Sequence, residues 1–134
     1  MVPPHAGDYT LVIEVQAGYL FARASGVRTR VGVAAMTLEV FEAARANRLS
    51  KVLVDVRELS GRLGTVDNVR LVTEVFEKLR GKGIRKAAIV DEQAPGVRGW
   101  FLETVARNRG FNFRIFADEQ EAHAWLEERS GQPS

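Results

Sequence analysis

The segment Lys51–Thr65, KVLVDVRELSGRLGT, constrains the fold of this chain more than any other part of the sequence. It begins with an uninterrupted aliphatic run, Val52–Val54, which is typical of a strand covered on both faces within a parallel sheet. Asp55 is predicted to end this strand, and a polar loop with two glycines then leads to a helix. Because ligands and partners commonly bind at the carboxyl ends of strands in open α/β sheets, the segment predicts the functional region as well as the fold class.

Two strands precede that segment. Tyr9–Gln16 and Tyr19–Ser25 are rich in β formers, and the intervening Ala17-Gly18 predicts a tight antiparallel hairpin. Alternation of side chains in the first strand predicts one buried face, formed by Leu11, Ile13 and Val15.

Four helices are predicted after this hairpin. Thr29 is predicted to cap a helix ending near Asn47, Thr65 a second helix, and Asp118, in a capping box with Glu121, the last one. A third helix is predicted over residues 99–108, and short strands over 87–90 and 111–116. The order ββαβαβαβα predicts an α/β fold, a five-stranded, mostly parallel sheet with an N-terminal antiparallel hairpin and four helices. We expect a single domain over residues 8–129, with flexible ends at 1–7 and 130–134.

Helical spacing also predicts which side chains each helix buries. The predicted stripes are Val31, Ala34, Ala35, Leu38 and Phe41 in the first helix, Val69, Val72, Phe76 and Leu79 in the second, and Ala122, Trp125 and Leu126 in the last. The first half of the first helix is apolar on nearly every side, because Val33, Met36 and Val40 lie outside its stripe. These three residues are predicted either to be buried beneath neighbouring elements or to form a partner-binding face.

Composition argues against several classes of function. The 134 residues include no cysteine, which excludes disulfides, thiolate catalysis and Cys-ligated metal sites. The 19 Lys and Arg residues are nearly balanced by 17 Asp and Glu residues and alternate with them, so we expect no nucleic-acid partner. No apolar run is long enough for a membrane span and the N-terminal sequence lacks a signal-peptide pattern, so we expect a cytoplasmic protein.

Candidate catalytic groups are few. Asp55, Asp91 and Asp118 each follow a predicted strand, so their carboxylates could gather at one edge of the sheet and bind magnesium. The alternative is that Asp118 caps a helix while Asp55 and Asp91 hold loop amides. A Ser/His/Asp assembly would need Ser60 and His123, but His123 is predicted on the exposed side of the last helix. With no phosphate-binding glycine motif either, we expect no cofactor and no enzymatic activity, and a metal-dependent enzyme is the weakest hypothesis.

The loop after Asp55 contains two candidate phosphorylation sites. Ser60 and Thr65 lie between a predicted strand end and a helix start, where a phosphate would meet free amides and a favourable dipole. Arg57 and Arg62 flank Ser60 and could pair with that phosphate. The alternative is a turn serine and a capping threonine. With Asp55, these residues form the candidate partner-docking or phosphorylation loop.

Three consecutive large apolar residues, Trp100, Phe101 and Leu102, open the predicted third helix. They cannot all face one core stripe of a helix. At least one should therefore contact another helix, a partner chain or a small apolar cavity. The segment predicts a well-filled core edge, a dimer contact or a ligand pocket.

Two stretches, KVLVDVREL and FLETVARNRGFNFRIFADEQEAHAWL, resemble the SpoIIAA-like branch of the STAS superfamily. The more distinctive motifs are Glu103-Thr104, the run Arg107–Gly110, Phe116 and the run Ala124–Leu126. The resemblance spans about residues 9–128 and implies a domain that binds partner proteins without catalysis.

Classical anti-anti-sigma members are phosphorylated on a serine in a DSSG-type motif, whereas here Ser60-Gly61 follows Glu58-Leu59. The branch also resembles CRAL-TRIO lipid-carrier domains, which implies that a small apolar molecule could be held. We therefore expect a STAS-like regulatory domain that binds an unidentified protein and forms a homodimer. The alternative is a carrier of a small non-polar molecule, with Trp100–Leu102 as its pocket wall.

Overall fold

The computed structural model describes residues 9–61, 64–79, 83–91, 103–104, 106–107 and 112–128. The described strands are β1 (Tyr9–Gln16), β2 (Tyr19–Val27), β3 (Lys51–Ser60), β4 (Lys86–Val90) and β5 (Phe113–Phe116). The described helices are α1 (Arg30–Ala46), α2 (Thr65–Leu79) and α3 (Glu119–Glu127). Residues 103–104 and 106–107 are also helical and fall within the predicted third helix.

The strands form one sheet in the order β1-β2-β3-β4-β5. β1 pairs with β2 in antiparallel fashion, whereas β2, β3, β4 and β5 run parallel to one another. The mixed sheet with an N-terminal hairpin is therefore confirmed. Because the parallel strands all end at one edge, α1, α2 and α3 begin there, and we call it the carboxyl edge.

The hairpin turns at Ala17-Gly18, as predicted, and Gln16 pairs with Tyr19 across it. Gly18 has φ +88°, a conformation in which a residue with a side chain is strained. The predicted buried face of β1 is only partly correct. Leu11 and Ile13 are half-buried against the core, but Val15 lies near the turn and is exposed.

α1 begins as the sequence predicts, because the Thr29 hydroxyl accepts a hydrogen bond of 2.9 Å from the Gly32 amide. Its predicted buried stripe is largely correct, because Phe41 is buried and Ala34, Ala35 and Leu38 pack half-buried against the core. Val31 is exposed, and the buried residues of the helix are Gly32, Met36, Val40, Phe41 and Ala44. Amphipathicity could not fix the orientation of a helix that is apolar on nearly every side, so packing against the sheet selects the face.

Two hydrophobic cores cover the two faces of the sheet. The larger lies under α1 and α2 and includes Leu20, Ala22, Val40, Val52, Leu71 and Val75. Leu71 and Val75 were not in the predicted stripe of α2; Val69 is half-buried, and the side chains of Val72, Phe76 and Leu79 lie outside the described residues. The second core lies under α3 and includes Phe21, Leu53, Val90, Phe116 and the predicted Ala122, Trp125 and Leu126.

Candidate functional site at the carboxyl edge

β3 is longer than the sequence predicts. The strand continues past Asp55 to Ser60, so most of the predicted docking loop is strand. The register explains this extension: Arg23 pairs with Asp55 but Ser25 pairs with Glu58, which places one extra residue in β3 as a bulge. The bulge lets both Val56 and Leu59 face the larger core, although simple alternation would place them on opposite faces.

Asp55 is the centre of an ion-pair network on the α3 side of the sheet. Its side chain is only 2% exposed and accepts hydrogen bonds from the Arg57 amide (3.0 Å), Arg57 Nε (3.0 Å) and Arg57 Nη2 (2.8 Å). Arg23 Nε, on the neighbouring strand, donates a further bond of 3.2 Å. The bulge releases the Arg57 amide from the strand ladder, and Asp55 supplies its acceptor.

Glu119, the first residue of α3, extends this network. Arg57 Nη2 donates to Glu119 Oε1 at 3.0 Å, and Arg23 Nη2 lies 3.7 Å from the same oxygen. The Asp118 carboxylate caps the helix by accepting from the Gln120 amide at 3.3 Å, as predicted. Two strands and the start of α3 are therefore joined through four charged side chains, which we call the Asp55 network: Arg23, Asp55, Arg57 and Glu119.

Electrostatics keep Asp55 ionised. Burial alone raises the pKa of this carboxyl group, but the hydrogen bonds and charge of Arg57, with the bond from Arg23, lower the pKa below its ordinary value of 3.8. Arg57 is thus held by Asp55 and Glu119, and this is where the structure places the arginine that was predicted to flank a Ser60 phosphate.

Ser60 ends β3 and is exposed, and its hydroxyl donates to the Gly26 carbonyl at 3.1 Å. The cation next to it is Arg28, whose amide donates to the Ser60 carbonyl at 2.8 Å and whose Nε donates to the Gly61 carbonyl at 3.0 Å. Arg28 Nη2 also lies 3.5 Å from Asp91 Oδ2. Arg28 therefore ties the ends of β2, β3 and β4 together.

Two further residues of the predicted loop are less fully described. Arg62 lies outside the described residues, and Thr65 is the first residue of α2, with a side chain outside them as well. The predicted boundary of α2 is therefore corrected by one residue, since Thr65 lies within the helix and not before it.

The three aspartates proposed as magnesium ligands have different surroundings. Asp55 is held by two arginines, Asp91 faces Arg28, and Asp118 caps α3. Within the part of the chain that the structure describes, no group of three His, Asp or Glu side chains is placed to hold a metal ion. His123 packs edge-on against the Tyr19 ring at 5.2 Å and lies 3.7 Å from Glu127, on the half-exposed side of α3.

Three exposed valines also lie at the carboxyl edge. Val27 at the end of β2, Val31 in the first turn of α1 and Val66 in the first turn of α2 are 50%, 60% and 71% exposed. We call these three residues the valine patch. Val66 also opens a shallow groove along α2, whose described lining continues through Val69, Arg70, Thr73 and Glu74.

The predicted apolar surface at Trp100, Phe101 and Leu102 lies outside the described residues. Among the described helices, none combines the length and hydropathy needed to cross a lipid bilayer.

Six solved chains are similar to this one in structure, among them the following two. One is an anti-sigma factor antagonist from Mycobacterium paratuberculosis, 18% identical, with a TM-score of 0.56 over 92% of this chain and 99% of that one. The other is an uncharacterised protein of the DUF3478 family with a SpoIIAA-like fold from Shewanella loihica PV-4, 22% identical, with a TM-score of 0.56 over 94% and 98%. The chain has a SpoIIAA-like fold. No protein-family model matches it, and no curated protein matches it in sequence.

Three charged residues of the candidate site were missed by sequence reasoning, and so was the buried Lys86 at the opposite edge of the sheet. Arg23, Arg28 and Glu119 lie far along the chain from Asp55 and Ser60, and the sequence carries no pattern that joins them. Lys86, at the start of β4, is buried and donates to the carbonyls of Trp125 (2.7 Å) and Glu128 (2.8 Å). The sequence did contain one signal of the Asp55 network. If β3 is extended through residue 57, alternation along the strand places the Asp55 and Arg57 side chains on the same face of the sheet.

Proposed function

We propose that this chain is a non-enzymatic regulatory domain that binds a protein partner through the valine patch at its carboxyl edge. The observation that supports this most strongly is the position of Val27, Val31 and Val66. Three exposed branched side chains lie where two helices and a strand meet the same edge of the sheet. Burying such residues against a partner is favourable by about 25 cal/mol per Å² of apolar surface removed from water.

The surroundings of the patch fit a protein surface. Arg30 Nη1 and Glu74 Oε2, 3.4 Å apart, join α1 to α2 beside it, and Arg28 lies between Val27 and Val31 in sequence. An apolar centre with a polar and charged rim is the usual composition of a protein-binding surface. The likeness to an anti-sigma factor antagonist supports a regulatory role of this kind, exerted by protein contact.

A role without catalysis is supported by how the charged groups of the edge are used. Asp55, Asp91 and Asp118 are each engaged by an arginine or by a helix amide. General acid–base or metal chemistry requires such groups to face a substrate. We propose the cytoplasm as the location of this domain.

The Ser60 hydroxyl is the modification site that we propose within the same edge. It is exposed, its single described hydrogen bond goes to the Gly26 carbonyl, and the Arg28 side chain lies beside it. A phosphate there would add about two negative charges close to the valine patch. Intact-mass measurement on protein from its native cell tests this, and an unmodified mass under every growth condition would count against it.

Site-specific crosslinking tests the docking surface. A photoreactive residue at position 31 or 66 is expected to capture the same protein in the native cell. Val15 is the matched control, because it is 56% exposed and lies at the hairpin, away from the carboxyl edge. Capture of that protein with equal yield from position 15, or no specific capture from positions 31 and 66, would refute the proposed surface.

A further inference from the structure

Positive charge is concentrated in two segments of the chain. Residues 45–51, RANRLSK, contain three Arg and Lys residues, residues 78–86, KLRGKGIRK, contain five, and neither segment contains Asp or Glu. Residues 80–82 and the side chain of Lys78 lie outside the described residues. The first segment runs from the end of α1 into β3, and the second from the end of α2 into β4. Both strands begin at the edge of the sheet opposite to the carboxyl edge, and we call it the amino edge.

The backbone brings the described parts of these segments together. Lys51 of β3 pairs with Lys86 of β4 in the parallel ladder. Just before this pair, the Ser50 carbonyl accepts hydrogen bonds from the Arg85 amide at 2.6 Å and the Lys86 amide at 3.3 Å. Burial lowers the pKa of Lys86, and the nearby charges of Lys51 and Arg85 lower it further. Cations from two segments that are distant in sequence are therefore close in space.

Arg48 is placed at the same edge by the end of α1. Its amide donates to the Arg45 carbonyl at 3.0 Å, and the Leu49 amide donates to the Ala44 carbonyl at 2.8 Å, which is the Schellman pattern. Arg48 has φ +59°, a conformation that this motif usually gives to glycine. The helix dipole favours a cation here, but Arg45 in the last turn already supplies one. Neither the turn nor the dipole therefore explains an arginine at position 48.

The cations of the two edges differ in their partners. At the carboxyl edge, Arg23 and Arg57 contact Asp55, Arg28 contacts Asp91 and Arg30 contacts Glu74. At the amino edge, Arg48 and Arg85 are exposed and Lys51 is half-buried, and we call these three residues the amino-edge cations. The ion pairs formed within the described part of the chain include none of them. Their charges are therefore accessible to a ligand from outside.

Acidic residues flank this surface and limit the kind of anion that fits it. Glu42 lies 3.9 Å from Arg45 on α1, and Glu127 and Glu128 are exposed at the end of α3. A long nucleic acid or a flat anionic membrane would approach these carboxylates as well as the cations. The two basic segments also contain no aromatic residue on which bases could stack, and their described residues include no exposed large apolar side chain for insertion into a membrane. A short acidic peptide avoids the flanking carboxylates.

We propose that the amino-edge cations bind a short acidic segment of a protein partner. Carboxylates of that segment would pair with Arg48, Lys51 and Arg85, and such complementarity favours fast and selective association. β3 has ten residues, so the amino edge lies about 30 Å from the carboxyl edge at a rise of about 3.3 Å per residue. The domain therefore has room for a second partner in addition to one at the valine patch.

Peptide binding tests this surface directly. Fluorescence anisotropy is expected to show that a labelled octaglutamate peptide binds the full chain at about 50 mM salt and less tightly at higher salt. The double variant Lys51→Gln, Arg85→Gln should raise the dissociation constant at least about fivefold. Arg70→Gln is the matched control, because Arg70 is exposed within α2, and should leave the constant unchanged.

Three results of this titration would overturn the proposal. The first is no binding of octaglutamate at about 50 mM salt. The second is an equal loss of affinity in the double variant and in Arg70→Gln. The third is tighter binding of a single-stranded oligodeoxynucleotide of equal charge, or of phosphatidylglycerol vesicles, than of the peptide.

Arg48 allows a second test in which stability and binding change in opposite directions. Arg48→Gly should raise the temperature of unfolding, because glycine adopts the positive φ without strain, and should weaken octaglutamate binding about twofold. Arg48→Lys is the matched control, which keeps both the charge and the strained backbone and should change neither property. Unchanged peptide affinity in Arg48→Gly, or an equal loss in Arg48→Lys, would contradict the proposed surface.

Discussion

The two ends of α3 are attached to the sheet by opposite uses of charge. At its start, Glu119 joins a network in which the side chains of Arg23, Arg57 and Glu119 keep a third or more of their surface in solvent. At its end, the single Lys86 is 4% exposed and donates to two carbonyl oxygens, with its ammonium group 4.9 Å from the centre of the Trp125 ring. Both arrangements suit the helix dipole, which favours negative charge at the start and positive charge at the end.

Because the two attachments differ in burial, they contribute to the stability of the fold in different ways. In the Asp55 network only Asp55 is fully buried. Removing its carboxylate therefore leaves no other buried charge without a partner, but the two arginines lose the group that orients them. At the other end, removal of the ammonium group leaves the two carbonyls without that donor. Burial lowers the pKa of Lys86, and the neighbouring charge of Glu128 raises it and so opposes that effect in part.

The largest expected effect comes from breaking the centre of the Asp55 network. Asp55→Ala should lower the free energy of unfolding by about 1.5 to 3 kcal/mol, the range for hydrogen bonds to a charged group, because the Arg57 amide and two guanidinium groups lose their common acceptor. Urea denaturation followed by circular dichroism measures this loss. Glu119→Gln is the matched control and should cost less than about 1 kcal/mol, because that pair is half-exposed. If both variants lose the same free energy of unfolding, the burial of Asp55 does not determine the size of the loss.

Loss of the Lys86 attachment at the other end of α3 should lower the free energy of unfolding by less, and its effect should be concentrated in the last turn of the helix. Lys86→Met keeps the length and apolar stem and removes the charge, and should cost about 1 to 3 kcal/mol because two carbonyls lose a donor. Hydrogen exchange should accelerate in the last turn of α3 before it changes in β3. An unchanged exchange rate at Trp125 and Leu126 would contradict the proposed attachment.

The smallest expected effect is a pH dependence that separates the two ends. Because the folded pKa of Asp55 lies below its ordinary value, its stabilising contribution is complete above about pH 4 and is lost as the pH falls through the folded pKa. The difference in unfolding free energy between wild type and Asp55→Asn should therefore narrow on acidification. The difference between wild type and Lys86→Met should stay constant over the same range. If the two differences in unfolding free energy change with pH in the same way, a group other than Asp55 is responsible for the titration.

Local signals predicted the fold well. The Ala17-Gly18 turn, the Thr29 and Asp118 caps and the buried stripe of α3 each depend on residues that are neighbours in sequence. The predicted end of β3 was wrong because Asp55, Arg57 and Glu58 have the composition of a loop. Only the pairing with β2 and the bulge between the two strands make that stretch extended.

The candidate site was harder to predict than the fold for the same reason. Asp55 and Ser60 were identified from their positions near a strand end, but their partners Arg23, Arg28 and Glu119 come from distant elements. The valine patch was also missed as a set, because Val31 fitted a buried stripe by spacing and Val66 lay outside any stripe.

The cap of α1 couples two positions that a comparison of sequences would treat as separate. A methyl group built at Gly32 would lie 2.8 Å from the Thr29 hydroxyl oxygen, closer than atoms of this kind approach one another. Any larger residue at position 32 would therefore displace the hydroxyl that accepts the Gly32 amide. Relatives that lack this glycine would have to start the helix differently.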